Sequence, residues 1–231
     1  MAKIAIIGAH GKVGSLVVPV LTARGHEVSG VVRSQDQFQD LTDAGATPVL
    51  LDVATASEDE LAEAFAGHDV VVWSAGAGGK GGAEATYAVD RDAAIRSIDA
   101  ARRAGAHRYV MVSFISAVHD HGVPEDSSFF AYADAKVTAD DHLRASDLAW
   151  TILGPGTLTD EPSGGGITIL RDDAPVPEES ATSRENVARV IAEVVGRPRT
   201  AGHFLRFTDG RTVVEEAVHE AEGEDAGMRP Q

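Results

Sequence analysis

Cysteine is absent from the 231-residue chain. That excludes disulfides, thiolate nucleophiles, iron–sulfur clusters and cysteine-based zinc sites together. Positive charge is scarce: 20 Lys+Arg stand against 36 Asp+Glu, a formal net charge of -16. A phosphate-backbone binder needs a clustered cationic face, so nucleic acid is not an expected partner. No apolar run approaches the ~20 residues that cross a bilayer, so neither is a membrane. The first apolar stretch, Ile4–Gly8, is too short for a signal peptide and leads into glycines rather than a cleavage site. The expectation is a soluble, cytoplasmic protein, monomer or homodimer, whose partner is a small-molecule substrate. What is present is ordinary globular composition, 43% hydrophobic and 24% charged. The length fits one core, since single cores grow to about 250 residues.

Short β-branched runs alternate with longer amphipathic, Ala-rich stretches. Strands are predicted at Lys3–Ile7, Glu27–Val32, Thr47–Leu51, Asp69–Ser74, Arg108–Ser113, Ala149–Leu153 and His203–Phe207. Val70-Val71-Val72 and Val110-Met111-Val112 are continuously apolar, as in strands buried on both faces. Helices are predicted near 12–24, 36–44, 58–66, 84–104, 129–146 and 184–196. Thr182 with Glu185, and Thr212 with Glu215, have capping-box spacing. The alternation predicts an α/β fold, a doubly wound parallel sheet of about seven strands with right-handed crossovers. Pro155, Pro162, Gly164-Gly165-Gly166, Pro175 and Pro177 mark 155–183 as an irregular insertion on the substrate side. Residues 221–231 read as an acidic, flexible tail on a single domain spanning 1–220.

The first strand runs into Gly8-Ala9-His10-Gly11-Lys12-Val13-Gly14, followed by a helical pattern from Leu16. This Gly-x-x-Gly-x-x-Gly is close to the dinucleotide fingerprint. Gly8 would allow the tight turn, Gly11 close approach to pyrophosphate and Gly14 tight helix–strand packing. The helix N-terminus would then face phosphates with free N–H groups. The alternative is a flexible loop in a chain with 24 glycines; the position between first strand and helix favours the cofactor. A Walker A loop fails, because Lys12 and Lys80 are followed by Val13 and Gly81.

A NAD-selective site usually ends its second strand in Asp or Glu. Here Val31-Val32-Arg33-Ser34 stands there. Arg33 could stack on adenine and bind a 2′-phosphate, which favours NADP, with NADPH preferred over NADH; an ordinary surface arginine is the alternative. Asp52-Val53 after the third strand could meet the adenine edge, and Ser74-Ala75-Gly76 after the fourth offers close backbone approach. Tyr132 and Lys136 fall four apart in a chain with only three tyrosines and four lysines. They share one helix face, where an ammonium would lower the phenol pKa and make it a better acid or base. A half-buried tyrosine on a solvent-facing helix is the alternative.

Together these motifs resemble the short-chain dehydrogenase/reductase superfamily, as does Arg108-Tyr109-Val110-Met111-Val112-Ser113. Ser146-Asp147-Leu148-Ala149-Trp150-Thr151-Ile152-Leu153-Gly154-Pro155-Gly156 is similar to its atypical, NmrA-like NAD(P)H-binding branch. So are Ser183-Arg184-Glu185-Asn186-Val187-Ala188 and Phe207-Thr208-Asp209-Gly210. The resemblance implies a Rossmann fold and a catalytic set of Tyr132, Lys136 and Ser113, with Ser116 a second choice for the serine. It implies a cofactor site of Gly8, His10, Gly11, Lys12, Val13, Gly14, Arg33, Ser34, Asp52, Val53, Ala75, Gly76, Lys136 and Pro155. Departures are His10 for the usual Thr, Ser113-Phe114-Ile115-Ser116 for a serine run, and Gly154 for the usual Arg. The leading expectation is an NADP(H)-dependent oxidoreductase acting on a small carbonyl or related acceptor. A non-catalytic NAD(P)-sensing regulator and a nucleotide-sugar epimerase are the alternatives.

The remaining candidates read more plainly. His119-Asp120-His121 lacks an evident third ligand, so no metal is assigned and a hydrated loop is expected. The Gly76–Gly82 loop, with Lys80 at its centre, could close over pyrophosphate or be merely a mobile surface loop. Acidic clusters at Asp172-Asp173, Glu178-Glu179 and Glu215–Asp225 are expected to be solvated faces.

Overall fold

The computed structural model describes residues 1–79, 81–171 and 174–224. The first half is β1 (Lys3–Ile7), α1 (Gly14–Ala23), β2 (Glu27–Val32), α2 (Phe38–Asp43), β3 (Thr47–Leu50), α3 (Glu58–Phe65) and β4 (Val70–Trp73). Next come α4 (Gly82–Thr86), a π-helical segment (Tyr87–Ala93) and α5 (Ala94–Arg103), then β5 (Arg108–Val112), α6 (Phe130–Arg144) and β6 (Ala149–Pro155). The rest is β7 (Thr157–Thr159), β8 (Gly166–Leu170), β9 (Ala181–Ser183), α7 (Arg184–Val195), β10 (His203–Asp209), β11 (Thr212–Val213) and α8 (Val214–Glu224).

The main sheet runs β11-β8-β10-β6-β5-β4-β1-β2-β3. Its seven predicted strands are mutually parallel, while β8 and β11 join antiparallel. Alternation along each strand sorts side chains to two faces. Ile4, Ile6, Val70 and Val72 pack with Val17 and Leu21 of α1 and Val190 and Ile191 of α7. Ala5, Ile7, Val71 and Trp73 pack with Leu61 and Phe65 of α3, Ile98 of α5 and Leu143 of α6. Both faces are covered by helices, which is why the strands read as continuous apolar runs.

Among the described residues the sheet has nine strands rather than about seven, and the insertion is not irregular throughout. Gly166–Leu170 pairs with β10 and buries Ile167, while β7 and β9 form a separate two-stranded parallel sheet. Glycine is what lets β8 dock. A Cβ on Gly210 would lie 2.2 Å from Thr168 Oγ1, and one on Gly166 would lie 2.8 Å from the Gly210 carbonyl oxygen. Gly166, which read as a chain breaker, is thus a point of close backbone approach.

The two expected capping boxes are displaced. Ser183, not Thr182, caps α7, its Oγ accepting from the Asn186 N–H at 3.2 Å. Thr182 is buried and instead takes the Gly156 N–H at 3.0 Å. Thr212 pairs with Ile167 in β11 ahead of α8. A complete box forms at Ser57 and Glu60, opening α3, and these hydrogen bonds hold the Glu60 carboxyl below its ordinary range. The acidic stretch from Glu220 is helical through Glu224, whereas residues 225–231, Lys80 and Asp172-Asp173 lie outside the described residues.

Candidate active site

Open α/β sheets bind ligands beyond the strand C-termini where chain order reverses. Here β1 and β4 meet at that place, and a cleft of about 1320 Å³ opens over the ends of β1, β2, β4 and β5. Its floor is the glycine loop. Gly8 has φ +78°, a left-handed conformation, and a Cβ on it would lie 2.8 Å from the Ser74 carbonyl oxygen. A Cβ on Gly14 would lie 2.2 Å from the Gly8 carbonyl oxygen, so α1 starts directly against the turn. The loop closes through the Gly11 N–H donating to Gly8 O at 2.9 Å. Gly8 and Gly14 therefore supply the tight turn and the close helix packing that the fingerprint requires. These residues fit a dinucleotide.

His10, Gly11, Lys12, Val13, Arg33, Asp52, Val53, Ala75 and Gly76 all line this cleft. Arg33 is exposed on the rim, and its guanidinium has no partner among the described residues. His10 lies 2.7 Å from Asp40 and 3.2 Å from Gln37. Asp52 accepts from the Ala54 N–H at 3.1 Å. Lys12 donates to Asp160 at 2.7 Å, and Arg184, at the start of α7, donates to the other Asp160 oxygen at 2.7 Å. Ser34 and Pro155 are not on the cleft wall; Pro155 ends β6, where its carbonyl accepts from the Ile115 N–H at 2.9 Å.

The opposite end is built by α6 and β5. Tyr132, Lys136 and Asp140 recur at four-residue steps, so they rise along one helix face. Lys136 is 1% exposed and donates to the Val112 carbonyl at 2.7 Å. Ser113 lines the cleft and donates to Asp140, whereas Ser116 lies off the wall. Tyr132 packs against Phe114 and Phe129, with ring centroids 5.6 and 5.1 Å away. The expected lowering of the tyrosine pKa is not found. Burial, then the carboxylates of Asp90 and Asp140, push the Tyr132 phenol above its ordinary value. Lys136 serves a backbone carbonyl instead of the phenol. The phenol stays protonated at neutral pH.

Two carboxylates of this site were not among the residues singled out from the sequence. Asp90, in the π-helical segment, is buried and accepts from the Ala77 N–H at 2.9 Å. A Cβ on Gly76 would lie 2.9 Å from Asp90 Oδ1, so the loop after β4 packs directly on this carboxyl. Burial raises the Asp90 pKa, against the pull of Lys136. No sequence signal marks a π-helical segment, although such segments recur at functional sites. Asp140 could have been found by extending the Tyr132–Lys136 register one more turn. His119 and His121 are not on the cleft wall: His119 is exposed, 3.3 Å from Asp141, and His121 meets the Phe130 ring edge-on.

The model of a family described as NAD(P)H-binding matches residues 8–198. The chain belongs to the NAD(P)H-binding family. The uncharacterized sugar epimerase YhfK of Bacillus subtilis is 34% identical to this NAD(P)H-binding protein, covering 94% of this chain and 98% of the relative. A Bacillus halodurans structure described as a candidate NAD-dependent epimerase/dehydratase superposes with TM-score 0.86 at 32% identity, covering 95% of this chain and all of that one. The oxidoreductase ylbE of Lactococcus lactis gives TM-score 0.82 at 26% identity, over 94% and 95% of the two chains. The family match falls on the glycine loop and cleft just described. It agrees with a Rossmann-like, mostly parallel α/β fold. Among the described residues no helix is long and apolar enough to cross a membrane.

Proposed function

We propose that this chain is an NADP(H)-dependent oxidoreductase of the atypical short-chain dehydrogenase/reductase type, in its NmrA-like branch, reducing a small carbonyl or related acceptor. One observation carries the reading: a single cleft holds the glycine loop and Arg33 at one end and Tyr132, Lys136 and Ser113 at the other. The Gly8–Gly14 loop and the N-terminus of α1 would hold the pyrophosphate. Arg33 would take the 2′-phosphate through charge-assisted hydrogen bonds, and Asp52 and Val53 would face adenine. Lys136 would hold the nicotinamide ribose. When bound, the nicotinamide supplies or takes up hydride.

The chain's own residues supply the proton chemistry. Tyr132 lies on the cleft wall as a neutral phenol, so it is equipped to donate a proton to a developing alkoxide. That is the form carbonyl reduction requires of its proton donor. Lys136 anchors the floor through the Val112 carbonyl, and its positive charge faces the same developing negative charge. Phe129 and Phe130 present apolar rings at the reacting end of the cleft.

The printed names of YhfK and the Bacillus halodurans protein favour a second reading, transient oxidation and re-reduction of a sugar during epimerisation. The two differ in whether cofactor is consumed. The test mixes the protein with NADPH and a panel of carbonyls, quinones and nucleotide sugars. Net NADPH oxidation with at least one carbonyl or quinone, reduced about 100-fold or more in Tyr132→Phe, is expected. Isomerised sugar without net oxidation favours the epimerase, and binding without any turnover favours a sensor.

A further inference from the structure

Asp140 is the unexplained charge of this site. It is 0% exposed, on the face of α6 that carries Tyr132 and Lys136. Its Oδ2 accepts from Ser113 Oγ, and its Oδ1 is buried without a hydrogen-bond partner. A buried carboxylate held by one donor, with an orphan oxygen beside it, is poorly compensated. The Ser113 hydroxyl has no other hydrogen-bond partner among the described residues, and Ser113 lines the cleft. A serine hydroxyl owns one proton and two lone pairs, so where its proton goes decides what it can offer a ligand.

We propose that Asp140 is a positioning residue that sets the hydrogen-bond polarity of Ser113. Ionised, Asp140 accepts a hydrogen bond from the serine O–H, and Ser113 presents only lone pairs to the cleft, matched to a substrate hydroxyl. Once it has taken a proton from water, Asp140 donates to Ser113 Oγ. The serine proton then turns to the cleft, matched to a carbonyl oxygen. No bond other than O–H is made or broken, and the proton returns to water as the pH rises. This rests on the oxidoreductase reading for its consequence, though the coupling itself belongs to the cofactor-free chain.

The surroundings place the switch in an accessible range. Burial pushes Asp140 up to about 6, while Lys136, the Ser113 hydrogen bond and Arg144 pull it down and Asp141 pushes it up. From β5, Tyr109 faces it together with Ser113, and Tyr132 faces it from α6. Asp90, on the π-helical segment packed against α6, acts on the same Lys136. On α5, Asp99 is paired with His142 at 2.9 Å.

The test is a pH titration of the cofactor-free protein carrying isotope-labelled aspartate and serine, followed by nuclear magnetic resonance. The Asp140 carboxyl and the Ser113 β-carbon are expected to titrate together near 6. Ser113→Ala should move the carboxyl midpoint upward, because it removes the donor that favours the charged form. Asp140→Asn, with its fold checked by circular dichroism, should abolish the Ser113 transition. A carboxyl that does not titrate with Ser113, or a Ser113 transition that survives Asp140→Asn, would overturn the proposal. In parallel, NADPH-dependent reduction of phenanthrenequinone should fall as pH rises through the same midpoint, and the profile should flatten in Asp140→Asn. A profile that keeps its wild-type shape in Asp140→Asn counts against the proposal. No turnover by the wild type, with the resonance coupling intact, counts against the oxidoreductase reading alone and leaves the coupling standing.

Discussion

A methyl group at position 14 would sit 2.2 Å from the Gly8 carbonyl oxygen, with Ala9 backbone atoms at 2.7 and 2.8 Å. No flexible side chain is there to yield, so Gly14→Ala must push α1 off the first turn. Overpacking of this kind costs about 1–3 kcal/mol, and here it also displaces the N–H groups that would face phosphate. Thermal unfolding with and without NADPH should show both a lower Tm and a smaller cofactor-induced rise. At Asp140 the sign is reversed. Burial lifts its folded pKa to about 6 from an ordinary value of 3.8, so it binds a proton more readily folded than unfolded. Its cost to stability is absent below about pH 4, grows through that interval and is complete above 6, at about 3 kcal/mol. Asp140→Asn should therefore raise stability to denaturant at pH 7 while changing it little at pH 4. A loss at both values would show that the carboxyl is structurally required. The glycine roles were legible in sequence because spacing encodes them. The effect of Lys136 on Tyr132 was not, because it depended on the Val112 carbonyl, which only the fold brings within reach.

At the scale of elements, the resemblance at Ser183–Ala188 and at Phe207–Gly210 turns out to describe one joint. Asp209, at the end of β10, accepts from the Ser183 N–H at 3.0 Å and from Asn186 Nδ2 at 2.8 Å. Ser183 caps the same helix end. This pins the start of α7 to the sheet and sets Arg184 over the cleft, where it shares Asp160 with Lys12. Ser183→Ala should cost about 1–2 kcal/mol in denaturant melts, at the upper end for a cap because Ser183 Oγ also bonds Asp209. Its cofactor affinity should fall more than Ser57→Ala would reduce it, since that cap opens α3 on exposed surface. Strand–helix order and most boundaries were readable from periodicity. The insertion was misread because glycines that permit strand docking look the same in sequence as glycines that end a strand. Gly154 is a related case. A Cβ there would lie 2.6 Å from the tip of the Phe204 ring, so a side chain at that point of β6 would have to displace the ring.

Across the whole molecule, a net charge of -16 surrounds a cleft whose unpaired cation among the described groups named for the cofactor is Arg33. An acidic protein repels a polyanionic ligand at long range, so affinity has to come from local contacts. Arg33→Ala should weaken NADPH binding about 10-fold or more and leave NADH nearly unchanged, measured by titration calorimetry at fixed salt. Equal losses for both cofactors would place Arg33 against adenine rather than a 2′-phosphate. The cleft's two ends were both legible as motifs 120 residues apart; that they face one volume required the sheet order, with β1 beside β4 and β5 next. In the proposed reaction, hydride leaves a cofactor at the Tyr132 end of that volume for a carbonyl acceptor. The most direct measurement is transfer of deuterium from NADPH labelled at nicotinamide C4, followed by mass analysis of the products. Deuterium in a reduced acceptor, lost in Tyr132→Phe, is the predicted result. NADPH that binds yet keeps its label with every carbonyl and quinone would contradict it.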